Sequence, residues 1–173
     1  CYKKNIRLRR SVIQELIKMK FIKILFVSLL IFNFANAEKI ERLGFYNLQE
    51  ILEDDNLTYK ILKGCVSMNS AVTEVIRKDY PDLANEFFQT ANYLYPFGIL
   101  VLKKVRNIEN LEAEKTYFLE INNLTDDYIN FINENGKENK SFFKGTFIGD
   151  DLNFCNEIRA AIENSVSATK KIN

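Results

Sequence analysis

The chain has 173 residues, with 24 Lys+Arg against 23 Asp+Glu, 13% aromatic residues, three cysteines and no histidine. That aromatic content excludes a disordered chain, which has too few large apolar side chains to offset the entropy of ordering. The missing imidazole excludes Ser-His and Cys-His nucleophiles, His-ligated zinc, the Glu-x-x-His di-iron bundle and c-type haem attached through Cys-x-x-Cys-His.

Residues 1–18 are basic and contain no methionine. They read as upstream sequence foreign to the native protein; the alternative is a basic arm for anionic lipid or nucleic acid. Residues 19–37 follow the order charged, apolar, small. Lys20 and Lys23 open the stretch, Ile24 to Phe34 is apolar apart from Ser28 and Asn33, and Ala35-Asn36-Ala37 closes it. This is the pattern of a secretory signal peptide. A spanning helix needs roughly 20 apolar residues, and this run is far shorter. The expectation is a signal-peptide helix cut after Ala37, sending residues 38–173 to the periplasm or outside the cell. A buried core helix or an uncleaved anchor are the alternatives.

Export changes the charge count. Residues 1–37 hold eight basic residues and one acid, so residues 38–173 carry 16 basic and 22 acidic, a net of −6. An acidic body repels phosphate backbones, so nucleic acid is not expected as a partner. Membrane contact is expected through the signal peptide alone. Two cysteines remain, Cys65 and Cys155, and an oxidising compartment predicts that they pair.

Few prolines and glycines interrupt residues 38–173, so helices are expected. Residues 38–42 are charged and expected to fray. A first helix carries Phe45, Leu48, Ile51 and Leu52, with Asn47 and Glu50 as its start signal, and ends at Asp54-Asp55-Asn56. A second, Tyr59 to Lys78, buries Leu62, Cys65, Val66, Val72 and Ile76, with Asn69 on the same face. Pro81 opens a third, which turns Ala84, Phe87, Phe88, Ala91, Leu94 and Tyr95 inward. Pro96 to Leu102 reads as a buried strand or, preferably, as a kinked or restarted helix running through Val105. The longest helix spans Leu111 to Asn135, with Gly136 as its stop. Residues 137–149 form a loop. Asp150 or Asp151 caps a last helix that buries Leu152, Cys155, Ile158, Ile162 and Val166. Residues 167–173 are expected to be loose. The fold class is therefore an all-α, single-domain bundle of about five helices with one disulfide, preceded by the signal-peptide helix.

Chemical motifs are weak. Ser141-Phe142-Phe143-Lys144 matches Ser-x-x-Lys, but no Ser-Asp-Asn follows and Lys144-Gly145-Thr146 is not Lys-Thr-Gly. The carboxylate pairs at Asp54-Asp55, Asp126-Asp127, Asp150-Asp151 and Glu112/Glu114 suit solvated faces better than a glycosidase groove. Asn133 to Gly136 lacks the first and last ligands of a calcium loop. No catalytic residue, metal or cofactor is expected. The candidate binding patch is Phe142, Phe143, Phe147 and Ile148, four large apolar side chains in a loop, which either dock as a lid or present a surface. The expected function is a secreted, non-catalytic protein binding a partner protein or a small apolar ligand. The rivals are a periplasmic inhibitor or immunity-type protein, and a His-free, carboxylate-based cell-wall hydrolase.

Overall fold

The computed structural model describes residues 40–170. The expected upstream extension and signal peptide, residues 1–37, lie outside the described residues. A 3-10 turn at Leu43–Phe45 leads into five helices: α1, Leu48–Glu53; α2, Asp55–Ile76; α3, Pro81–Arg106; α4, Asn110–Asn139; and α5, Ile148–Lys170. No strand occurs among the described residues. The fold class is the all-α bundle with one disulfide, Cys65 to Cys155.

Polar residues set the helix ends. The Asn47 side chain accepts from the Glu50 N–H at 2.9 Å, and the Glu50 carboxylate accepts from the Asn47 N–H at 3.3 Å. This reciprocal box satisfies two donors that the first turn would otherwise leave unpaired. Asp54 ends α1, and its carboxylate accepts from the Asn56 and Leu57 N–H groups, starting α2. The acidic run therefore joins two helices without a loop, and α2 begins four residues before the expected Tyr59. A six-residue helix is marginal on its own and depends on the surface it lies against; α1 buries Ile51 for this purpose.

Helix α2 is the centre of the bundle. The expected stripe and Asn69 are buried, and so are Ile61 and Met68 alongside it and Gly64 and Ala71 on the opposite side. A helix apolar around most of its circumference is one surrounded by others, and α3, α4 and α5 all touch α2. Pro81 occupies the first turn of α3, and the helix continues unbroken through Pro96. The Pro96-Phe97-Gly98 segment is helix, not strand, with the proline on the exposed face. Phe88, expected inward, is exposed.

Several expected boundaries move for identifiable reasons. Helix α4 passes through Gly136 to Asn139 and ends at Lys140, which takes left-handed dihedrals. Gly136 is there for close approach: a Cβ at this position would meet the Phe142 ring at 2.8 Å. Asp150 and Asp151 lie inside the first turn of α5 and do not cap it. Instead the buried Asp151 carboxylate accepts the N–H groups of Leu43 at 2.7 Å and Gly44 at 2.9 Å. Asp150 pairs with Arg42 at 2.7 Å, and Glu41 pairs with Lys60. Residues 41–44 are thus held against α5 and α2, and Glu41 and Arg42 belong to the 38–42 stretch for which fraying was expected. Helix α5 runs to Lys170, through part of the expected loose end.

Candidate functional site

The helical period sets one face of α5 against one face of α1. Ile158, Ala161, Ile162, Ser165 and Val166 recur at i, i+3, i+4, i+7 and i+8, and Leu48, Ile51 and Leu52 at i, i+3 and i+4. Between these faces is a groove of about 300 Å³, floored by Thr58, Ile61 and Leu62 of α2 and Phe97 of α3. Its depth is graded: Ile61 is 0% exposed at the base, and Leu52 is 74% exposed at the mouth.

The sequence leaves this space open for two reasons. Helix α1 is too short, and Ala161 too small, to fill the space between them. The N-terminal half of α5 is fixed by Asp151 and by the cystine at Cys155, which also fixes where the later half can lie.

The groove wall contains no ionisable side chain. Of its two hydroxyls, Thr58 donates to the Ile51 carbonyl and Ser165 to the Ala161 carbonyl at 2.9 Å. With those donors spent locally, the wall favours hydrocarbon, since an unpaired polar group buried there would carry a desolvation cost.

The strongest electrostatics lie on a different side of α2. Glu120 accepts from the Tyr59 hydroxyl at 2.5 Å and from Arg106 at 2.6 Å, with Lys63 at 3.5 Å. Burial pushes the Glu120 carboxyl up, but these hydrogen bonds and positive charges outweigh it and hold it below the usual carboxylate value. The guanidinium of Arg106 and the ammonium of Lys63 also lie over the Tyr59 ring. This network joins α2, α3 and α4. A smaller cavity of about 110 Å³ is lined by Glu41, Leu43, Lys60, Lys63, Gly64, Leu124 and Tyr128; its Glu41 and Lys60 neutralise each other.

The four residues of the expected patch are not presented together. Ile148 is fully buried, and Phe147 is half-buried and stacked on Phe131 with ring centroids 5.4 Å apart. Phe143 is half-buried, and Phe142 is partly exposed over Gly136. The Asn135 amide clasps the loop through the carbonyls of Ser141, Phe142 and Lys144.

The groove is a feature the sequence reading did not find. Its signal is present in retrospect. The last helix has an apolar face reaching to Val166, yet Ile162 and Val166 are only partly covered.

Among the described residues no group of three His, Cys, Asp or Glu side chains could hold a metal ion, and no helix is long and apolar enough to cross a membrane. No protein-family model, curated protein or solved structure matches the chain, so the chemistry of the groove is the ground for a functional reading.

Proposed function

We propose that this is an exported, non-catalytic protein of the periplasm that binds through the α1–α5 groove, taking up the apolar part of a partner protein or small molecule. The groove carries this reading: about 300 Å³ of open, hydrocarbon-lined space with no ionisable side chain in its wall. Ligand sites in proteins are concave and mainly apolar, and this volume is at the lower end of their usual range. The buried cystine supports export, because such bonds persist in oxidising compartments.

Titration of isotopically labelled protein with 1-decanol, followed by amide NMR, tests the binding reading. The expected shifts centre on Leu52, Ala161 and Val166, and Ala161→Phe abolishes them by filling the space. Shifts spread evenly over the surface, or unchanged in Ala161→Phe, reject the groove as the site. Export is tested separately: terminal sequencing of the mature product is expected to begin at Glu38.

A further inference from the structure

Resting on the groove reading, we infer that α1 is a lid, hinged at Asn47 and Asp54, that closes toward α5 over a hydrocarbon chain in the groove and opens to release it. The attachments of α1 carry this inference. Its one buried side chain is Ile51. Its polar side chains pair within the helix and its own cap: Gln49 donates to Glu53 at 2.9 Å, and Glu50 accepts from the Asn47 N–H. Among the described residues one side-chain hydrogen bond joins it to another helix, from the Thr58 hydroxyl to the Ile51 carbonyl. A six-residue helix held this lightly belongs to the least stable part of a fold.

The chain on either side of α1 is fixed. Upstream, Asp151 holds the Leu43 and Gly44 N–H groups, and the Tyr46 hydroxyl accepts from Lys60 at 3.1 Å. Downstream, Asp55 pairs with Lys104 at 2.7 Å. The facing wall, α5, is tied to α2 by the cystine. The joints between these anchors are Asn47 (φ −86°, ψ 155°) and Asp54 (φ −123°, ψ 108°). Both are in the broad extended region, which accommodates rotation without strain. Lids move on a few such residues at the ends of an element while their flanks stay rigid. The driving force is on α1 itself. Leu48 and Leu52 line the groove yet remain exposed, so a chain lying against Ile158 and Ile162 gives them apolar surface to close on.

The test uses the protein with its disulfide intact and 1-decanol as the probe. In the free protein the amides of Ile51, Leu52 and Glu53 are expected to exchange with solvent about 100-fold or more faster than those of Ile61 and Leu62 in α2. Thr58→Val, which removes the bond to the Ile51 carbonyl, should speed the α1 exchange about fivefold further. Spin labels at Gln49→Cys and Asn164→Cys, both exposed positions, report the separation of α1 and α5 by pulsed electron resonance. That separation is expected to be broadly distributed in the free protein and to shift to one shorter distance with decanol, with no shift in Ala161→Phe. Decanol binding in the groove with an unchanged label separation overturns the lid and leaves the groove reading standing. Exchange in α1 as slow as in α2 overturns the lid as well. If decanol does not bind in the groove, both fail.

Discussion

The Tyr117 phenol sits directly on the backbone of Gly98. A Cβ added at Gly98 would lie 2.0 Å from the Tyr117 hydroxyl oxygen and 2.2 Å from the ring carbon that bears it. Glycine is required here by the approach of α4 to α3, and Pro96-Phe97-Gly98 is therefore a packing feature of one continuous helix. Gly98→Ala forces this buried ring to move, and overpacking of this kind costs about 1–3 kcal/mol, more where the neighbour cannot shift. Tyr117 is fully buried beside Tyr95 and Tyr59, so it has little room. Its hydroxyl makes no hydrogen bond among the described residues. Tyr117→Phe is accordingly expected to be neutral or to stabilise by about 1 kcal/mol, because a buried polar group without a partner is a cost. Urea denaturation of the two variants checks both signs.

The cystine joins residues 90 apart and ties α5 to α2. Chain entropy assigns a loop of that length about 4–5 kcal/mol. Cys65→Ala with Cys155→Ala is expected to lose about that much in chemical denaturation. The groove should respond as well, since one wall is α5 and the floor is α2. Reductant sufficient to open the bond is expected to weaken decanol binding before the far-ultraviolet helical signal falls. Both signals falling together would place α5 in the same cooperative unit as the rest.

The helices were legible in the sequence wherever local chemistry decides. Asn47 and Glu50 announce a reciprocal box, Pro81 a first turn, and the period of Tyr117, Ile121, Leu124, Tyr128 and Ile132 a buried face. What misled was chemistry whose meaning depends on a distant neighbour. Gly136 looks like a stop until Phe142 folds back over it, and Asp151 looks like a cap until Leu43 and Gly44 arrive from 107–108 residues away. The groove was illegible for the same reason. Its wall residues are ordinary apolar positions in their own helices, and the shortness of α1 beside α5, with the small Ala161 between them, leaves the space unfilled. Whether Phe142, Phe143, Phe147 and Ile148 dock or present a surface was open in the sequence, because the surfaces that receive Phe147 and Phe142, the Phe131 ring and Gly136, are on another element.

Asp151 acts as a clamp between the N-terminal turn and α5. Asp151→Asn keeps one carbonyl oxygen but turns an N–H donor toward a backbone N–H, so one hydrogen bond is lost and a buried donor is left unpaired. The expected cost is about 2–3 kcal/mol, at the upper end for a buried bond to a charged group. Hydrogen exchange provides a more local reading. The Leu43 and Gly44 amides are expected to lose protection in the variant while the α2 amides near Met68 change only as global stability falls. Unchanged exchange at Leu43 and Gly44 would contradict the clamp.

Glu120 gives the fold a signed dependence on pH. Its carboxyl is held below the ordinary value of 4.5 by Tyr59, Arg106 and Lys63, which outweigh burial. A carboxylate depressed on folding contributes stability that is fully present above its unfolded value and is lost as pH falls through its folded value. Asp151 works in the opposite sense. Burial raises it above 3.8 despite the Leu43 and Gly44 N–H groups, so its ionisation costs stability as pH rises through the window above that value. Glu120→Gln separates the two, because it removes the first titration and leaves the second. At pH 6 the variant is expected to be less stable than the parent. Below pH 4.5 the difference should shrink steadily, since the parent's Glu120 then takes up the proton that the amide mimics. Guanidinium denaturation at pH 6, 4.5 and 3.5 measures this. A difference that stays constant across the three would show that Tyr59 and Arg106 do not favour the ionised form of Glu120.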